Sequence, residues 1–374
     1  MTATEAAPSE VVRPGGEARA QHGASVPSEA HAPQRGASTR SRAARLRGAA
    51  LLGLGLALAV ALSLALGARA TDLATVVTAL TDPGALADPA DAVAVRDLRV
   101  PRTVIGLIVG AALGLAGVVM QGVTRNPVAD PGLLGVTAGA SFAVVLGIAL
   151  AGETGVIGLA VWALAGALVT SLGVGALARA AGDRATPALL VVVGFAVTAG
   201  LGTLTTLVLL GDPAALDRYR FWTVGSLTGR DLDAALTLLP LVMAGIVVAA
   251  LLARPLDALA LGDDVARGLG FRLGAVRGGS LVAIVLLAGT ATALAGPLVF
   301  VGLLGAHAAR AAVGGHHGLL MPVSAVAGAA FVLVADIIGR LVAPPGELEV
   351  GIVIAALGAP LLIALVRARR AVAA

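Results

Sequence analysis

Ten apolar runs of roughly 16 to 24 residues follow one another through most of this chain, several of them about 20 residues and so long enough to cross roughly 30 Å of hydrocarbon. They lie at about 49–67, 103–123, 132–151, 155–178, 187–210, 232–252, 278–295, 298–313, 320–341 and 350–367. Lipid offers no hydrogen-bonding partner to a backbone amide or carbonyl, so a run of this kind satisfies its own backbone as a helix. Composition agrees: 58% of the 374 residues are hydrophobic and 13% are charged, with a mean hydropathy of +0.95. A soluble domain is about a quarter charged, and a membrane β-barrel reads as short alternating segments instead. The expected class is all-α and polytopic, with about ten transmembrane helices.

Residues 1–48 are rich in Ala, Pro, Ser, Gly and Arg, without an apolar period, and read as a disordered basic tail before a membrane domain at 49–370. "ALGARA" at 65–70 resembles a signal-peptidase site, but the apolar run before it is long and the tail longer still, so an uncleaved span is expected. All 26 basic residues are arginine. With the N-terminus inside, 18 of them fall on cytoplasmic segments and 8 outside, which obeys the positive-inside rule and places both termini in the cytoplasm. The arginines therefore mark loops of a plasma-membrane protein and do not point to nucleic acid. Without a cysteine there are no disulfides or thiolate sites. Without a lysine there is no phosphate-binding loop of the GxxxxGK[ST] type, so any ATP that drives this chain is bound by another subunit.

Four stretches interrupt the apolar pattern. In "RDLRVPRT" (96–103), Arg99 and Arg102 stand at the outer end of the second span, with Pro101 in its first turn; they read either as snorkelling side chains or as a positive patch for an acidic partner. In "MQGVTRNPVADPGLLGVTAGA" (120–140), Asn126-Pro127 and Asp130-Pro131 break the helix into an elbow with Asn126, Pro127 and Pro131 at its corners. "ALALGDDVARGLGF" (258–271) reads as two turns of amphipathic helix. Asp263 and Asp264 suit its N-terminus, Asp263 and Arg267 are spaced to pair, Gly268 and Gly270 suit its stop, and Leu261, Val265 and Leu269 share a face. So short a helix is marginal alone and needs something to pack on, either its own bundle or a cytoplasmic partner. In the fourth stretch, 296–360, Asp336 and Arg340 can neutralise each other, and His307, His316 and His317 form a polar elbow in preference to a metal site. Gly106, Gly110 and Gly114, four apart, fit close helix packing in lipid.

Together and in this order, these stretches resemble the permease subunits of the FecCD type, the type II ABC importers for iron–siderophores, haem and vitamin B12. The resemblance runs through "GAALGLAGVVMQGVTRNPVADPGLLGVTAGA", "WTVGSL", "LALGDDVARGLG", "FVGLLGAHAAR", "ADIIGR" and "ELEVGI", covering about 49–370. Departures are Ala306 before His307, Glu349 where the family has proline, and Val128 after Asn126-Pro127. The resemblance implies a ten-helix permease fold. It implies that Arg99, Arg102 and Arg340 pair with acidic residues on an extracytoplasmic substrate-binding protein. It also implies that Leu261, Gly262, Asp263, Asp264, Ala266, Arg267 and Gly270 belong to the segment that couples to an ATPase. The implied assembly holds two permease copies, identical or paralogous, in the bilayer with two ATP-binding subunits. ATP and Mg are bound by those subunits, and this chain carries no cofactor or catalytic residue of its own. A ferric siderophore is the expected cargo, with cobalamin or haem as the alternative. An ion-coupled carrier would need an ionisable residue deep in a span, and Asp336, the best instance, has Arg340 to balance it. An intramembrane enzyme would need a nucleophile–base pair or metal ligands, and no HExxH or GxSxG is present.

Overall fold

The computed structural model describes residues 41–67, 71–86, 88–152, 155–180, 187–230, 232–343 and 346–373. Residues 40–374 form one compact unit. Helices are the only regular structure among the described residues. In chain order they are α1 (Arg42–Ala65), α2 (Leu73–Thr81), α3 (Pro89–Val93), α4 (Val100–Thr124), α5 (Val136–Ala151), α6 (Val156–Ala180), α7 (Pro187–Gly211) and α8 (Pro213–Thr223). They continue with α9 (Leu232–Ala260), α10 (Asp263–Gly268), α11 (Leu273–Ile284), α12 (Thr290–Ala295), α13 (Val301–Val313), α14 (His317–Val342) and α15 (Val350–Ala373). Wider π-helical turns join α3 to α4 (Ala94–Arg99) and α11 to α12 (Val285–Gly289). Each of the ten expected spans has its helix, the seventh formed by α11 and α12 in succession. Seven are long and apolar enough to cross a membrane; α5, α13 and the apolar part of α15 are shorter.

The boundaries differ from expectation where charge does not end a helix. α1 begins at Arg42, with the Ser41 hydroxyl accepting from Ala44 N at 3.2 Å, so the arginines before the first apolar run are helical. α9 continues through Arg254, Pro255 and Asp257 to Ala260, beyond the apolar run that defined it. Polar residues past the hydrocarbon edge cost a helix nothing, so hydropathy finds the membrane core and not the helix end. α8 was not expected. Its start is nonetheless local chemistry: Asp212 accepts from Ala214 N and Ala215 N at 3.0 and 3.1 Å, and Pro213 occupies the first turn.

α4 is the centre of the bundle, packed by α14, α13 and α9, whereas α1, α6 and α7 keep most of their apolar surface outward. Small residues bring α4 against its neighbours. Gly110 faces Gly328 and Ala329, Gly114 faces Ser324, and Gly117 faces Gly302, each so closely that a Cβ would overlap backbone. The Ser324 hydroxyl donates to Gly114 O at 2.7 Å. The glycine spacing seen in the sequence is thus a packing face, as small residues are in lipid. A second small-residue contact, Gly139 on Gly166, joins α5 to α6. A separate apolar cluster of Ala65, Val76, Ala79 and Val95 seats α2 on the end of α1.

Candidate functional site

Two sites stand at opposite ends of the bundle, here called the arginine end and the α10 end. At the arginine end, the turn Ala94–Arg99 leads into α4 and sets Arg99 and Arg102 beside the end of α14. Arg99 Nη1 donates to Leu64 O, Ala65 O and Thr71 Oγ1 at 2.8, 2.9 and 2.6 Å. Arg340 donates to Ser63 O, Leu66 O and Ser63 Oγ at 2.8, 3.0 and 2.9 Å. Four of these acceptors are carbonyls at the C-terminal end of α1, where a helix leaves acceptors without partners and carries a partial negative charge. Asp336, with no exposed surface, lies between two guanidinium groups. Arg102 approaches its Oδ1 at 2.7 Å, and Arg340 Nε donates to its Oδ2 at 2.9 Å. Arg102 also meets Glu347 at 2.5 Å, and Ser63 Oγ lies 2.7 Å from Thr103 Oγ1.

Arg99, Arg102 and Arg340, expected to form a positive patch for an acidic partner, are built into the bundle. They are 6%, 9% and 2% exposed, with Arg99 and Arg340 donating to the carbonyls that end α1 and Arg102 donating to Asp336 and Glu347. The structure does bring the three together. They line one cavity of about 320 Å³ with Arg230, Asp97 and Glu347, although 238 positions separate Arg102 from Arg340. Burial lowers the Arg230 pKa from the usual arginine value, and the charge of Glu349 opposes that.

At the α10 end, Gly262 and Gly270 bracket α10 at φ +113° and +86°, backbone that a side chain would strain. The expected Asp263–Arg267 pair does not form. Asp263 instead meets Arg125, beyond the end of α4, at 2.8 Å and Arg277 of α11 at 2.9 Å, while Arg267 pairs with Asp264 at 2.7 Å. Two arginines on neighbouring elements out-compete one on the same short helix, and they tie α10 to the bundle. Ala266 is buried against the bundle, while Leu261, Val265 and Leu269 are exposed. The helix thus packs on its own bundle through one residue and leaves its apolar face open.

The α4–α5 connection lies beside it. Arg125 takes the left-handed conformation at φ +51°, Asn126 Oδ1 accepts from Val128 N at 3.1 Å, and Asp130 Oδ1 accepts from Gly132 N at 3.0 Å. Pro127 follows Asn126, and Pro131 starts the 3₁₀ turn Pro131–Leu134. Burial pushes the Asp130 carboxyl above the usual carboxylate range, against the pull of the Gly132 N–H. Nearby, His317 Nδ1 donates to Asp257 at 2.6 Å, His317 N donates to the same oxygen at 3.0 Å, and His316 lies 3.4 Å from the carboxylate. His307 Nδ1 donates to Leu303 O at 3.0 Å. No group of three His, Cys, Asp or Glu suited to a metal ion occurs among the described residues. Sequence reading did not single out Asp257, Arg125, Arg277, Ser63 or Glu347. Their partners are 14 to 277 positions away and on another element, and no local spacing signals such a contact.

The FecCD transport family model matches residues 55–368. This chain belongs to the FecCD transport family. It is 48% identical over 279 residues to the ferric enterobactin transport system permease protein FepD of Escherichia coli, covering 74% of this chain and 83% of that one. It is 38% identical to the cobalamin import system permease protein BtuC of Halobacterium salinarum, over 74% of each. Among solved structures, an inward-facing conformation of a metal-chelate type ABC transporter superposes with a TM-score of 0.74 at 25% identity. The alignment covers 86% of this chain and 99% of that one. The chain is thus a multi-pass permease subunit with the ABC importer permease fold. The ion-coupled carrier and the intramembrane enzyme drop out as rivals.

Proposed function

We propose that this chain carries ferric siderophores across the plasma membrane as the permease subunit of an ATP-driven importer. The observation that carries the cargo is the 48% identity to a ferric enterobactin permease along most of both chains, ahead of the 38% to a cobalamin permease. A substrate-binding protein docks at the arginine end, where the cavity walled by Arg99, Arg102, Arg230 and Arg340 receives an acidic side chain. ATP-binding subunits dock at the α10 end, on the face of Leu261, Val265 and Leu269. Gly262, Asp263, Asp264, Ala266, Arg267 and Gly270 hold that face in place. A second permease copy, identical or paralogous, completes the pathway. ATP and Mg belong to the partner subunits, since this chain has no lysine for a phosphate loop. Closure of the ATPases pushes α10, and the ties from Asp263 to Arg125 and Arg277 pass that push to α4 and α11. The bundle then moves as a packed body between two arrangements. Both termini are cytoplasmic in this orientation.

The test is uptake in a strain from which the gene for this chain has been deleted. Loss of radiolabelled ferric siderophore uptake, restored by the intact gene and abolished by ATP depletion, is the expected result. Normal siderophore uptake with loss of cobalamin or haem uptake would reassign the cargo.

A further inference from the structure

α1 keeps most of its apolar surface outward, so its seating rests heavily on its two ends. At the arginine end, Arg99 and Arg340 hold its last carbonyls. Its first turns lie at the opposite end, where Gly48 meets the Ala312 carbonyl of α13 so closely that a Cβ would overlap it. Three arginines, Arg42, Arg45 and Arg47, stand there within six positions. None of them pairs with a carboxylate among the described residues. No Asp or Glu occurs between Ser41 and Thr71 or in α13. α14, the other long helix against α1, has its one carboxylate, Asp336, at the arginine end. Arg42 and Arg47 are exposed, and Arg45 is half-buried with its Nε enclosed and unpartnered. By contrast, Arg125 and Arg277 are answered by Asp263, Arg267 by Asp264 and Arg310 by Gln121.

Arg47 also continues an apolar stripe. Leu51, Leu54 and Leu58 follow it on one face of the helix and are 69%, 68% and 59% exposed. From Leu51 to Leu62 the stripe spans about 16 Å, close to half of a hydrocarbon core of roughly 30 Å. A phospholipid presents the same order of groups, an acyl chain through one leaflet and a phosphate at its end. Guanidinium groups hold phosphate through paired N–H donors. A zwitterionic headgroup would bring its own cation among three arginines, and an acidic protein surface would cover the arginines but leave the leucines bare. We propose that the first turns of α1 are a binding surface for anionic phospholipid. Headgroup phosphates meet Arg42, Arg45 and Arg47, and an acyl chain lies along Leu51, Leu54 and Leu58. The lipid anchors this end of α1 as Arg99 and Arg340 anchor the other. The surface belongs to the leaflet at the α10 end and is independent of the cargo.

The full chain would be placed in nanodiscs of phosphatidylcholine alone, or of phosphatidylcholine mixed with phosphatidylglycerol of the same acyl chains, and its thermal midpoint measured. A midpoint several degrees higher with phosphatidylglycerol is expected, and high salt should shrink the gain by screening the charges. Joint Arg42→Gln, Arg45→Gln and Arg47→Gln replacement should abolish the gain and leave the midpoint in phosphatidylcholine unchanged. Joint Arg254→Gln and Arg272→Gln replacement removes two other exposed arginines of that end and should keep the gain. Should the triple variant melt early in both bilayers, the lipid that stays bound in native mass spectrometry decides. A several-fold fall in its ratio of phosphatidylglycerol to phosphatidylcholine is expected, and an unchanged ratio counts against the surface. Equal midpoints in the two bilayers, or a gain that survives in the triple variant, would overturn the proposal. So would a triple variant that keeps its lipid response and loses the ATP-binding subunits, since the arginines would then be a protein contact.

Discussion

Asp336 has no exposed surface, and its charge is answered by Arg102 and Arg340, each of which also serves another partner. A buried ion pair of this kind gains little over an apolar pair of the same shape, but removing one member strands the other and costs about 3–5 kcal/mol. Arg340→Ala strands more than Asp336, because Ser63 O, Leu66 O and Ser63 Oγ lose their donor as well. A fall in the thermal midpoint of the detergent-solubilised protein is therefore expected, with a loss of stability of that order. The exposed Arg96 serves as the control, and Arg96→Ala should leave the midpoint in place. If Arg340→Ala melted like the intact protein and only lost affinity for the binding protein, the arginine would be a docking residue without a structural part. The sequence made the Asp336–Arg340 pair legible through its four-residue spacing. It concealed the depth of the pair and its ties to α1.

At the scale of the helix, α4 and α14 are held by contact between backbones. Gly114 gives its carbonyl to the Ser324 hydroxyl and has no room for a Cβ above the Ser324 carbonyl oxygen. Gly114→Ala must push the two helices apart or distort one of them, and overpacking of this kind costs about 1–3 kcal/mol. Gly53 of α1 has nothing within 4 Å of a Cβ. Gly53→Ala should be neutral or slightly stabilising, since alanine loses less conformational freedom on entering a helix. Equal thermal midpoints for the two variants would refute the packing role of Gly114. The glycine face was visible as a spacing of four in the sequence. Its partner helix was not, because many helices in this chain carry small residues at similar intervals.

For the whole molecule, the unpartnered face of α10 is where assembly can be tested without disturbing the bundle. Val265 is exposed, while Ala266 and the ion pairs of Asp263 anchor the helix, so Val265→Asp should leave the thermal midpoint unchanged and reduce co-purification of the ATP-binding subunits several-fold. Full recovery of those subunits would place their contact elsewhere. Fold class, the positions of ten helices and membership of the FecCD transport family follow from the sequence alone. Hydrocarbon thickness and backbone satisfaction leave an apolar run of this length one conformation, and the signature stretches are continuous in the chain. The tertiary structure decided which charges meet. It buried the arginines that the sequence placed on the outside and moved Asp263 from Arg267 to Arg125 and Arg277. Side chains on different helices meet through the lateral packing of the bundle. Hydropathy records only depth along the membrane normal, so a pattern read along one helix carries no record of which neighbour faces it.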